Sequence, residues 1–143
     1  MKSFPGLLYL LFAASLLLAA CGNFGPPPAC IEGLGGTADT AAFDAHFTYM
    51  ELVSAASGEP GGPAEHGTAF AAGETLAISV DSLGAVGLRA CLQAAREIPI
   101  DQTYELSAGE QTLVLGALDE PGMYVVRVIV DGVLVKNLPF TLE

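Results

Sequence analysis

The chain has 143 residues, of which 52% are hydrophobic, and it carries 16 acidic residues against 5 lysine and arginine residues. This length fits one domain of about 100 residues with a leader and a linker. So few cations, spread singly along the chain, cannot form a groove that follows a phosphate backbone, which excludes a nucleic-acid partner. The net charge of −11 is better explained by solubility than by attraction for basic partners.

The first residues have the pattern of an export signal. Lys2 supplies a positive start, an apolar core runs from residue 7 to residue 18, and two alanines follow it. A transmembrane helix is the alternative, but it needs about 20 apolar residues. The run here is shorter and ends in Gly22 and Asn23, so we favour secretion.

The end of this leader, Leu18-Ala19-Ala20-Cys21, resembles the lipobox of bacterial lipoproteins. In that family the cysteine is alkylated with diacylglycerol, becomes the new N-terminus and is usually N-acylated. The resemblance implies a signal peptide over residues 1–20, lipidation of Cys21 and a permanent membrane anchor in a bacterial cell envelope. Gly22 in place of aspartate implies the outer membrane if the organism has two membranes. An ordinary soluble export signal is the alternative.

After Cys21, residues 21–40 predict a tether rich in glycine and proline. Cys30 and Cys91 then remain as one candidate pair, and an oxidising compartment favours a disulfide between them. Because the sequence does not supply the geometry of that bond, two free thiols are the alternative, with Cys91 as a small core residue.

Residues 37–53 support two interpretations. Phe43, Phe47 and Met50 have helical spacing, whereas Phe43, Phe47 and Tyr49 also follow the period of two that is typical of a strand. We predict a strand from about Phe43. Residues 54–67 contain too much glycine and proline for any regular element and predict a loop.

The remaining chain predicts short strands separated by turns. They fall around residues 68–70, 75–80 and 86–93, and on both sides of a turn at residues 108 and 109. Asp131 and Gly132 predict a type I′ hairpin with Val130 opposite Val133. A bulge is expected near Lys136 and residue 137, and the final strand is expected to be an edge. With no strong helix in this region, the pattern indicates an all-β antiparallel sandwich of about seven strands.

The segments TAFAAGETLAISV and GMYVVRVIVDGVLVKNLPFTLE resemble the immunoglobulin-like domains of bacterial envelope lipoproteins. In those domains a Phe before a Gly-acid turn opens one strand, and a Gly-x-Tyr strand pairs with a final Phe-containing strand. The resemblance implies an immunoglobulin-like sandwich over residues 41–143 and carries almost no functional information. The chain lacks the tryptophan of antibody domains, and Tyr124 is expected to be a core tyrosine with its hydroxyl at the rim.

The sequence contains no recognisable catalytic motif. It has no Gly-x-Ser-x-Gly elbow, no metalloprotease His-Glu pair, no glycine-rich phosphate loop and no EF-hand loop. Asp44 with His46, and Glu65 with His66, are better interpreted as surface pairs than as metal ligands. We therefore expect no enzyme, no metal and no cofactor.

These observations favour a lipid-anchored, non-catalytic binding or adaptor module for an envelope protein or glycan. A structural subunit of an envelope assembly is the alternative, and a small hydrolase or an enzyme accessory domain is less favoured. The predicted loop is long enough to suggest function, although disorder would also explain its length. We predict that Glu59, Glu65 and His66 contribute to the partner contact.

Overall fold

The structure is a computed structural model that describes residue 30, residues 36–64 and residues 67–143. This part of the chain forms one short helix and nine strands. The helix, α1, spans Thr40–His46. The strands are β1 Phe47–Ser54, β2 Gly62–Ala64, β3 Gly67–Phe70, β4 Thr75–Ser82, β5 Val86–Gln93, β6 Ile100–Leu106, β7 Gly109–Ala117, β8 Gly122–Val130 and β9 Val133–Leu142.

The strands form two sheets. The smaller sheet has the order β1-β4-β7, and the larger one has the order β2-β3-β9-β8-β5-β6. This confirms the predicted immunoglobulin-like sandwich, with nine strands instead of about seven. All pairs are antiparallel except β3 and β9, which run parallel with Thr68 opposite Phe140 and Phe70 opposite Leu142.

The main core lies between the sheets. Alternate residues of the strands point into it, as Leu76, Ile78 and Val80 of β4 do, and all three are completely buried. Burying one such side chain stabilises the fold by about 1.5–3 kcal/mol. The alternation read from the sequence of β4 therefore identified its core side correctly.

Helix α1 corrects the first predicted strand, which begins at Phe47 and not at Phe43. Asp39 caps the helix by accepting a hydrogen bond from the Ala42 amide at 2.9 Å. The Phe43 ring packs 5.5 Å from the Phe47 ring, between centroids. The spacing of the apolar residues in the sequence was compatible with either a helix or a strand. The Asp39 cap and the packing of Phe43 against Phe47 stabilise the helix.

The predicted loop also needs correction, because it contains β2. Gly62 lies opposite Ala69 and Ala64 opposite Gly67 in an antiparallel pair with β3. Pro63 is tolerated because β2 is an edge strand, where a missing amide hydrogen breaks no ladder on the outer side.

The hairpin between β8 and β9 is confirmed. Asp131 and Gly132 have φ angles of 49° and 77°, as a type I′ turn requires, and Val130 lies opposite Val133. The expected bulge near Lys136 is also present: Leu134 lies opposite Ile129 and Lys136 lies opposite Val128, so Val135 is the extra residue.

This bulge places Arg127 opposite Asn137, so the two cations of the hairpin do not face each other. The prediction that β9 is an edge is wrong, because β3 pairs with it. Strand β3 is contributed from far along the chain, which local sequence does not reveal.

The predicted signal peptide and Cys21 lie outside the described residues, so the leader stays a prediction. Within the described ranges, no helix is long and apolar enough to cross a membrane.

Candidate functional site

The disulfide predicted between Cys30 and Cys91 is present. The two sulfur atoms lie 1.94 Å apart and the two Cα atoms 6.0 Å apart. Cys91 belongs to β5 and is completely buried, but it points away from the main core.

A second, small apolar cluster surrounds this bond on the outer face of the larger sheet. Ile129 of β8 and Leu134 of β9 are buried in it, and Ala38 and Ile98 pack against them. The chain before α1 thus covers part of this face.

Two hydrogen bonds hold the same segment along β9. The Asn137 side-chain amide donates to the Gly36 carbonyl at 2.9 Å, and the Asp39 amide donates to the Leu134 carbonyl at 2.8 Å. Residues 36–39, within the predicted tether, therefore contact the sandwich at its larger sheet.

An open groove of about 510 Å³ lies at the end of the sandwich opposite α1. Its first wall is the turn that follows β1. The Gly58 amide donates to the Ser54 carbonyl at 2.8 Å, and the Ser54 amide donates to the Glu59 carbonyl at 2.9 Å. Gly58 has a φ of 71°, which a residue with a side chain rarely adopts. This turn brings Glu59 to the groove.

The opposite wall combines the end of β3 with the end of β9. The Glu143 amide donates to the Phe70 carbonyl at 3.0 Å, and the Glu74 carboxylate accepts from the Ala71 amide at 3.1 Å. Gly61 lies so close to this wall that a Cβ atom there would be 2.4 Å from the Ala69 carbonyl oxygen. Glycine is thus required for the two walls to approach each other.

The groove has an acidic lining. Glu59, Glu74 and Glu143 line it together with the buried Ser54, and none of the described residues that line it is a lysine, an arginine or a histidine. Such a surface suits a cationic partner group that donates hydrogen bonds to the carboxylates. Among the described residues, no three acidic, histidine or cysteine side chains are grouped so that they could hold a metal ion.

The residues predicted to contact a partner are only partly described. Glu59 lines the groove, whereas Glu65 and His66 lie outside the described residues. Asp44 and His46 lie on α1, where residues two positions apart do not face each other. Sequence reasoning missed Glu74 and Glu143, which reach the groove only through the pairing of distant strands.

The outer face of the smaller sheet is acidic and carries exposed apolar groups. Its register aligns Tyr49, Asp81 and Glu110 across the three strands, with Glu51 on the same side. Tyr49 is 42% exposed and Val114 is 53% exposed. The sequences of β1, β4 and β7 contain no lysine, arginine or histidine.

The larger sheet carries the cations of the described residues. Arg89, Arg127 and Lys136 lie on its strands, and Arg96 lies between β5 and β6. Arg89 donates two hydrogen bonds to the Asp101 carboxylate, at 2.7 and 2.6 Å. This pairing lowers the pKa of the Asp101 carboxyl, against the opposing effect of burial.

Two tyrosines at the rim of the sandwich donate hydrogen bonds to backbone carbonyl groups. Tyr104 of β6 donates to the Val114 carbonyl of β7 at 2.6 Å and so links the two sheets; burial raises its pKa. Tyr124 stacks on Phe140 and donates to the Glu120 carbonyl at 2.7 Å, with a pKa raised by burial and then by the nearby carboxylates Glu120 and Glu97. The bond to a carbonyl four residues upstream is the arrangement known as the tyrosine corner.

No family model matches the sequence, and no curated protein matches it significantly.

Proposed function

We propose that this protein is a lipid-anchored, non-catalytic binding module of a bacterial cell envelope, and that it binds a protein partner through the groove at the end of its sandwich. Two features support the proposal. The lipobox at Leu18-Ala19-Ala20-Cys21 supplies the anchor, and the groove supplies a concave surface on a rigid framework.

The acidic groove is the observation that carries the binding role. Glu59, Glu74 and Glu143 line it from three separate parts of the chain, and Gly61 keeps its walls close without filling it. A lysine or arginine side chain from the partner would pair with these carboxylates through charge-assisted hydrogen bonds. We therefore assign the groove to a basic segment of an envelope protein.

A photo-crosslinking amino acid at Ser57, on the groove, tests this assignment in cells. The matched control carries it at Thr112, which is exposed on the outer face of the smaller sheet. A partner captured from position 57 and not from position 112, and joined through a segment containing lysine or arginine, supports the proposal. Equal capture at both positions, or capture of a glycan, contradicts it.

Charge reversal provides the quantitative test. Glu59→Lys should weaken binding of the captured partner at least about tenfold, whereas Glu110→Lys on the smaller sheet should not, although both variants change the net charge equally. Equal weakening by both variants would indicate long-range attraction instead of a site.

The anchor is tested separately. The intact mass of the membrane-extracted protein should correspond to residues 21–143 plus acyl chains, and Cys21→Ser should stay unprocessed. A mature chain that starts elsewhere and needs no detergent contradicts lipidation and leaves the groove assignment untouched.

A structural subunit of an envelope assembly is the second candidate. The outer face of the smaller sheet favours it, since Glu51, Asp81 and Glu110 together with the exposed Tyr49 and Val114 form a broad surface for a basic neighbour. Capture at Thr112 of one stoichiometric neighbour would favour this role over the groove.

A further inference from the structure

The disulfide determines where the chain that carries the anchor joins the domain. Cys91 is on the outer face of the larger sheet, and Cys30 is bonded to it there. We propose that this face is the surface that the domain turns toward the lipid bilayer, so that the outer face of the smaller sheet points away from it. The inference rests on the lipidation of Cys21 in the proposed function.

The length of the connection supports this orientation. Residues 22–30 are the only chain between the lipidated cysteine and the disulfide. Even a fully extended chain of nine residues spans at most about 30 Å. A domain of this size has a radius of gyration of about 13 Å, so its full thickness is comparable to that reach.

The opposite orientation would therefore require the connection to extend past the whole sandwich to reach Cys30. With the larger sheet toward the bilayer, the same connection needs no such extension. Without the disulfide, the first contact of the described chain with the sheet would be Gly36, which adds six residues or about 20 Å. The disulfide at Cys30 thus shortens the connection to the membrane enough to restrict the orientation of the domain.

The charges of the two outer faces favour the same orientation as the short connection does. The smaller sheet presents Glu51, Asp81 and Glu110 with no cation on its strands, so an anionic bilayer surface repels it. On the larger sheet Arg89 is paired with Asp101. That face is consequently the one that anionic headgroups repel less.

An exposed methionine lies on the proposed contact face. Met123 of β8 is 66% exposed and lies opposite Thr141 on the outer side of the sheet. Met123 lines a shallow depression together with Arg96, Glu97 and Glu120. It lies on the same face of the sheet as Cys91, which is opposite Arg127. Met123 is four residues from Arg127, about 13 Å along the strand. An exposed apolar side chain on a face that also carries arginines suits the headgroup region of a bilayer.

Energy transfer to the membrane measures the orientation. The processed, lipidated protein is placed in phosphatidylcholine and phosphatidylglycerol vesicles that contain a headgroup-labelled acceptor. A donor is attached through a non-natural amino acid at Thr103 of β6 or at Thr112 of β7, which are both exposed and lie on opposite outer faces. Transfer from Thr103 should exceed transfer from Thr112 by roughly twofold, because the sandwich thickness separates the two positions.

A longer connection is the decisive control. Inserting about 15 glycine and serine residues after Pro28 should abolish the difference between the two donors without changing the melting temperature. Equal transfer from both positions in the parent, or stronger transfer from Thr112, overturns the orientation. Failure of the protein to associate with vesicles overturns lipidation and this inference with it, so the two failures are distinguishable.

A pair of charge insertions tests the contact face itself. Met123→Glu should lower transfer from Thr103, because it places a carboxylate against anionic lipid, whereas Val114→Glu on the opposite face should leave that transfer unchanged. Equal effects of the two variants contradict a contact at Met123.

Discussion

The outer faces of the two sheets are built from the same kind of strand but have different surroundings. On the larger sheet, the chain before α1 covers Cys91, Ile129 and Leu134, and the Cys30 to Cys91 bond holds it in place. On the smaller sheet, Tyr49 and Val114 are exposed beside carboxylates. Alternating residues therefore do not by themselves distinguish an inner from an outer face, because a covered outer face also selects apolar residues. The comparison teaches that one outer face of this sandwich is covered by the chain and contributes to stability, while the other keeps apolar side chains exposed.

The largest expected effect is the loss of the disulfide. Cys30→Ala together with Cys91→Ala should destabilise the protein by about 4 kcal/mol, since the bond closes a loop with a sequence separation of 61. Urea unfolding of the variant and of the reduced parent should give similar midpoints, both below that of the oxidised parent. A double variant as stable as the oxidised parent would show that covering the larger sheet does not need the bond.

Truncating one apolar residue on each outer face compares the faces directly. Ile129→Ala removes a side chain that is 3% exposed and should cost roughly 2–4 kcal/mol through lost burial and the cavity left behind. Val114→Ala removes a side chain that is 53% exposed and should change stability by less than about 0.5 kcal/mol. The free energy of unfolding is measured for both variants. Similar losses of stability would contradict the proposed difference between the two outer faces.

Adjacent glycines test the edge by which β2 extends the larger sheet. Gly61→Ala should cost roughly 1–3 kcal/mol, because its Cβ would meet the Ala69 carbonyl at 2.4 Å and the Phe70 ring at 2.9 Å. Gly62→Ala should be close to neutral, as no heavy atom lies within 4 Å of that position. Unfolding free energies and amide exchange at Ala69 report the change. Equal behaviour of the two variants would mean that β2 does not pack against β3 as described.

The smallest expected effect distinguishes the charges of the two faces. The pKa of Asp101 is lowered by Arg89, so the pair contributes stability above the unfolded carboxyl pKa of about 3.9 and loses it as the pH falls through the lower folded value. Because the Asp101 side chain is 39% exposed, Asp101→Asn should cost less than about 1 kcal/mol at pH 7.

The pH dependence provides the control for that pair. The difference in unfolding free energy between Asp101→Asn and the parent should vanish once the pH falls below the lowered pKa of Asp101, where the carboxyl is protonated in the folded protein. Glu110→Gln on the smaller sheet should show no comparable loss at pH 7, since that sheet's strands contain no cation. A loss for Asp101→Asn that persists in acid would indicate packing instead of charge.

Local chemistry made some features predictable. Asp131 and Gly132 require positive φ in a two-residue turn, and the hairpin follows from those residues alone. The helix at Thr40–His46 was not predictable in the same way, because Phe43 fits either spacing and the choice depends on Phe47 and on Lys136, whose ammonium lies 4.8 Å from the Phe43 ring centroid. In the groove, Glu59 was predicted from its loop, whereas Glu74 and Glu143 come from segments that are distant in sequence.

By itself, the sequence indicated the class of fold, the hairpin turn and the candidate lipobox, because each depends on neighbouring residues or on composition. It left the pairing of Cys30 with Cys91 as one of two alternatives. Only the tertiary structure decided that Cys91 faces outward, that β3 covers β9 and that three carboxylates meet at one end. The alternation of apolar and polar residues along a strand shows which side chains share a face of the sheet. Which side is covered, and by what, depends on contacts between residues far apart in the chain.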